Sequence, residues 1–107
     1  MKKSASRILK ETRVARETEL VEKLIDEIGK DSGLAVYGEK ETRKAAEMGA
    51  LEDLIVSEQK VSEYEKLIEL AEKHKSIVTI ISSEHESGEK FLHLGGIAGL
   101  LRFRMGY

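Results

Sequence analysis

A chain of 107 residues, 40% hydrophobic and 36% charged, has the length and balance of one soluble globular domain and is too apolar for a disordered polymer. Eighteen Lys and Arg against twenty Asp and Glu give a formal charge of -2, which excludes an overall basic field for nucleic acid. Cysteine is absent, so disulfides, thiolate metal sites and cysteine nucleophiles drop out, and the composition fits a reducing cytoplasm.

No apolar run approaches the roughly 18 residues of a membrane span. The charged start, Met1 to Arg7, lacks the apolar core of a signal peptide. That start is basic: Lys2, Lys3, Arg7, Lys10, Arg13 and Arg16 face a single acid, Glu11, a local balance of +5 within sixteen residues. From Ile8 to Ile28 the apolar positions Ile8, Ala15, Leu20, Leu24, Ile25 and Ile28 recur at three-to-five-residue steps, predicting an amphipathic helix that stops at Gly29. Residues 1–19 therefore read as a basic amino-terminal arm and helix start, and residues 20–107 as the domain proper.

Asp31-Ser32-Gly33 is a turn cluster, and Leu34 to Tyr37 a short buried strand. Gly38 opens a second helix with Thr42, Ala45, Ala46 and Met48 facing inward and Gly49 as its stop. Leu54-Ile55-Val56 marks a second strand within Leu51 to Ser57. A third helix is predicted from Val61 to His74, its apolar residues Val61, Tyr64, Leu67, Ile68 and Ala71 spaced i, i+3, i+4. Ile77 to Ile81 is β-branched at every position, a strand. A polar loop, Ser82 to Gly88, a short helix from Glu89 to Leu94, a Gly95-Gly96 break and a last strand from Ile97 to Met105 complete the chain. Alternation of this kind places helices on both faces of a mainly parallel or mixed sheet, a three-layer α/β domain.

Three groups of residues invite chemistry. Ser82-Ser83-Glu84-His85-Glu86-Ser87 follows a strand, where catalytic groups often sit. Yet neighbours in one loop rarely converge as nucleophile, base and orienting group, so the default reading is a loop capping the next helix. His74, His85 and His93 lack the spacing of a zinc pair, which leaves them structural or on the surface. Lys40, Arg43 and Lys44 stand at a helix start whose free amides suit phosphate. Glu39, Glu41 and Glu47 interleave with them, and ordinary helix-start acids and i, i+4 pairs account for the pattern.

The segments Tyr37-Gly38, Ala45 to Ala50 and Leu54 to Ser57, followed by Ile81-Ser82-Ser83, Ser87-Gly88-Glu89 and Gly95 to Phe103, occur in an order that resembles the third domain of the Pelota and class-1 translation termination factor superfamily. The likeness runs from about Val21 to Phe103. Ser57 to Lys60 passes directly into the third helix without the insertion typical of release factors, which points to the archaeal-type Pelota branch. The resemblance implies a three-layer α/β/α sandwich with a four-stranded mixed sheet, the fold of ribosomal proteins that bind kink-turn RNA. It implies a cytoplasmic parent that enters the A site of a stalled ribosome in rescue and mRNA surveillance (no-go decay). That parent works with an elongation-factor-one-alpha-like GTPase and an ABC-class recycling ATPase. The nuclease activity attributed to the parent family would lie in an amino-terminal domain that this sequence lacks, so the resemblance implies a carboxyl-terminal, noncatalytic interaction domain with no cofactor.

In that family a Gly-(Ile/Leu)-Leu-Arg-(Phe/Tyr) segment is linked to GTPase binding, and it maps onto Gly99, Leu100, Leu101, Arg102 and Phe103. As a strand, this segment would send Leu100 and Arg102 one way and Leu101 and Phe103 the other, with one apolar set in the core. The kink-turn binders suggest a rival, an RNA module contacting through Lys40, Arg43 and Lys44. Against it, Lys40 occupies the place of an Asn whose amide pairs a donor with an acceptor, which Lys lacks. The equivalent domain of a peptide chain release factor is a further alternative.

Overall fold

The computed structural model describes residues 5–104, and the predicted alternation is present within them. Its elements are α1 (Ala5–Lys30), β1 (Ala35–Tyr37), α2 (Glu39–Glu47), β2 (Leu51–Ser57), a 3-10 turn (Glu58–Lys60), α3 (Glu65–Lys73), β3 (Ile77–Ile81), α4 (Glu86–His93) and β4 (Ile97–Leu101). The sheet order is β1-β4-β2-β3. β4 is antiparallel to both β1 and β2, while β2 and β3 run parallel, so the sheet is mixed and four-stranded as expected.

Alternation along each strand divides the core in two. Leu54, Val56, Ile97 and Leu101 meet Ala45, Ala46, Leu67 and Ala71 of α2 and α3. Ile55, Ile81, Ala98 and Leu100 meet Val21, Leu24 and Phe91 of α1 and α4. A three-layer α/β/α sandwich results. Each fully buried Leu, Ile or Phe contributes about 1.5–3 kcal/mol, whereas an exposed pair such as Lys30–Asp26 at 3.1 Å is screened by solvent. Burial on both faces, not surface charge, holds the domain together.

Four details depart from the sequence reading. Helix α1 continues to Lys30, past the expected stop at Gly29, and its inward face uses Val21 where periodicity favours Ala15, which is exposed. Lys2 and Lys3 of the basic arm lie outside the described residues. The third helix begins late, at Glu65. The Ser57 hydroxyl accepts the Gln59 N–H at 3.3 Å and starts a 3-10 turn, so Val61 and Tyr64 reach the core from tighter turns instead of an α-helix.

Helix α4 begins early, at Glu86, and contains Gly88. A side chain there would collide with the Ser82 carbonyl, so this glycine marks a close approach between helix and loop, not a break. Strand β4 ends early, at Leu101, and the chain bends through Arg102 and Phe103. Met105, the expected end of the strand, lies outside the described residues.

Candidate docking surface

Because both faces of the sheet are covered, both Leu100 and Leu101 are core residues, one in each half. Each face of the segment thus contributes a leucine to the core, while Phe103 is exposed. Gly99 is buried as well: a Cβ there would run into the Leu51 side chain and stand 3.1 Å from the Asp53 carbonyl. Gly99, Leu100 and Leu101 are therefore buried residues that shape the strand.

Arg102 follows, where the chain leaves the sheet. Its backbone N–H donates to the Ala50 carbonyl at 2.9 Å. Its guanidinium donates to the Leu51 carbonyl from Nε (3.1 Å) and Nη2 (2.7 Å), and from Nη2 to the His74 carbonyl at 3.1 Å. Leu51 lies beside a register shift in the β2–β4 ladder, and its carbonyl also accepts the Ser76 hydroxyl at 2.8 Å. His74 is the C-cap of α3, so the arginine places its charge at the negative end of that helix. One side chain thus ties β4, β2 and α3 together.

The same end of the molecule carries exposed apolar groups. Phe103 and Met48, the C-cap of α2, are each 49% exposed. Gly49, at a φ of 68°, lies next to His74: a Cβ on it would be 3.6 Å from Nδ1 of the imidazole. Met48, Gly49, His74 and Arg102 therefore lie where two helices and a strand end together, and Phe103 follows Arg102 in the chain. Of the five residues singled out by sequence, Arg102 and Phe103 reach this surface. Met48 was not foreseen as part of it, because helical spacing placed it inside.

The α2 cations form a different surface. Lys40 and Lys44 are exposed, and Arg43 bonds Glu39 at 2.6 Å. All three line a shallow groove of about 670 Å³ with Glu39, Glu41 and Glu47, three acids to three bases. The acids of the first turn suit the positive end of the helix. Gly38 adopts a φ of 85°, which lets its N–H reach the Ile97 carbonyl at 2.9 Å while its carbonyl accepts the Thr42 N–H. The Thr42 hydroxyl points into the core without a hydrogen-bond partner.

The Ser82–Ser87 loop caps α4. His85 is the N-cap, its Nδ1 accepting the Gly88 N–H at 3.2 Å. The ring proton therefore sits on Nε2 and donates to the Glu17 carboxylate at 2.8 Å. Glu17 also accepts the Ser82 N–H at 3.0 Å and the Arg13 guanidinium at 2.9 Å. Burial by itself would raise the Glu17 carboxyl, but the bonds from His85, Ser82 and Arg13 outweigh it and hold its pKa below the ordinary value. Ser83 is turned away, bonded to Glu58 at 2.9 Å. Both imidazole nitrogens are occupied, so His85 does not stand as a free base beside a serine hydroxyl. Among the described residues no group of three His, Cys, Asp or Glu could hold a metal ion, and no helix is long and apolar enough to cross a membrane.

Comparison with known proteins places this arrangement. Residues 14–105 match the model of eRF1 domain 3. A "Protein pelota homolog" of Methanocaldococcus jannaschii is 52% identical over 100 residues, covering 92% of this chain and 28% of its own. The chain thus spans less than a third of the length of that relative. Among solved structures, Saccharomyces cerevisiae Dom34 superposes with a TM-score of 0.81 at 30% identity, over 94% of this chain and 30% of its own. It is described as a translation termination-like factor involved in RNA quality control pathways and interacting with Hbs1. A structure described as ribosome-bound archaeal Pelota and ABCE1 matches with a TM-score of 0.78 at 41% identity, over 94% of this chain and 29% of that one. With the sandwich, the strand order and the closing Gly99–Phe103 segment in place, the chain belongs to the eRF1 domain 3 family and stands among its Pelota-type members.

Proposed function

We propose that this chain is the noncatalytic interaction domain of a Pelota-type factor that acts on stalled ribosomes in rescue and mRNA surveillance. It docks a translational GTPase of the elongation-factor-one-alpha type and works with an ABC-class recycling ATPase. The observation that carries the reading is the half-exposed Phe103 beside the anchored Arg102, at the end of a segment whose other members are buried. Aromatic side chains, Phe among them, are enriched at the centres of protein interfaces, where a few anchors carry most of the binding energy. The partners named for the relatives, Hbs1 for Dom34 and ABCE1 with Pelota on the ribosome, support the same partner classes.

Specific RNA recognition through Lys40, Arg43 and Lys44 is not favoured, because their groove is electrically balanced. Calorimetric titration of an archaeal elongation-factor-one-alpha-type GTPase, loaded with GTP, into the chain should give saturable one-to-one binding. Titration with a kink-turn RNA should give only contact that fades steeply between about 50 and 200 mM salt. Salt-resistant, sequence-specific RNA binding without GTPase binding would reverse the assignment.

A further inference from the structure

The two edges of the sheet are finished differently. β1 is only three residues long, a common way to make an edge unattractive. β3, the other edge, is Ile77-Val78-Thr79-Ile80-Ile81, with no charge, no proline and no irregularity in its pairing to β2. Ile77, at its start, is 56% exposed, and Val78, Thr79 and Ile80 are half-buried. An unpaired row of backbone donors and acceptors along an apolar strand is a template for another strand.

We propose that β3 pairs with β3 of a second copy, antiparallel about a two-fold axis at Thr79. The segment is self-complementary in that register: Thr79 meets Thr79, Val78 meets Ile80, and Ile77 meets Ile81, all apolar or hydroxyl cross-strand pairs. Charge selects the same direction. Lys73 and Lys75 precede the strand, whereas Glu84 and Glu86 follow it and Glu58 stands beside its end, bonded to Ser83. Antiparallel pairing brings the basic end of one copy to the acidic end of the other, and parallel pairing opposes like charges.

The geometry also gives the exposed isoleucine a destination. Ile77, Thr79 and Ile81 share the α1/α4 face, because they pair with Asp53, Ile55 and Ser57. A groove of about 230 Å³, lined by Val14, Ser82 and Glu84 among others, borders the end of β3 at which Ile77 of the second copy arrives. Five paired residues span about 17 Å, so the contact is small and the dimer weak, with a dissociation constant on the order of 0.1 mM.

Sedimentation equilibrium of the 107-residue chain from about 10 µM to 1 mM tests this without any partner, and so independently of the GTPase reading. Wild type should pass from monomer to dimer across the range. Ile77→Lys should stay monomeric at an unchanged melting temperature, since the position is exposed. Lys75→Glu and Glu84→Lys should each weaken the dimer about fivefold, and the two together should restore it. A wild-type monomer at 1 mM, including one whose edge instead takes a strand of another polypeptide, would overturn the proposal. So would a dimer that Ile77→Lys leaves intact, or a charge swap that fails to rescue.

Discussion

Phe103 and Gly99 are four residues apart, and the structure gives them opposite consequences. Gly99→Ala forces a methyl group against Leu51 inside the sandwich, an overpacking that costs about 1–3 kcal/mol. Urea denaturation should show that loss, and any partner binding should fall with the folded fraction. Thr42→Val replaces a fully buried, unpartnered hydroxyl by a methyl group, and should raise stability by about 1 kcal/mol in the same assay. A destabilised Val variant would mean that the hydroxyl has a partner after all. Sequence spacing alone could not separate Gly99 from Phe103. Both lie in one apparent strand, and the difference arises where Arg102 turns the chain onto Leu51 and His74.

At the scale of elements, the legible features were those set by apolar periodicity, namely β2, β3 and, Met48 apart, the inward faces of α2 and α3. The boundaries that moved were set by single contacts at a distance. Gly88 reads as the end of a polar loop until the Ser82 carbonyl is seen against it, and Val61 and Tyr64 read as α-helical until the Ser57 cap tightens the turn. Glu17 was invisible as a site, because a lone acid in a charged helix carries no signal; its role depends on His85, 68 residues away.

That clasp makes a prediction about pH. Glu17 has a folded pKa below its ordinary 4.5, so its stabilisation is complete above about pH 4.5 and is lost as pH falls through the lowered folded value. Glu17→Gln should lower stability at pH 7 by about 1.5–3 kcal/mol, the range for hydrogen bonds to a charged group. The gap from wild type should narrow as the solution is acidified below about pH 4.5. A gap that stays constant with pH would show that the carboxylate charge contributes nothing.

For the whole molecule, a sheet covered on both faces leaves function to its ends and edges. The end at Met48, His74, Arg102 and Phe103 is rigid, since Arg102 ties three elements together, and it is the one place where the family segment meets solvent. The α2 groove is electrically balanced, and both nitrogens of His85 are engaged. The most direct measurement is the affinity of the GTP-loaded elongation-factor-one-alpha-type GTPase for Phe103→Ala beside wild type, with both melting curves recorded. Docking through this end predicts affinity lowered about thirtyfold, a hot-spot loss of about 2 kcal/mol, at an unchanged melting temperature. Equal affinities for two equally folded proteins would contradict it.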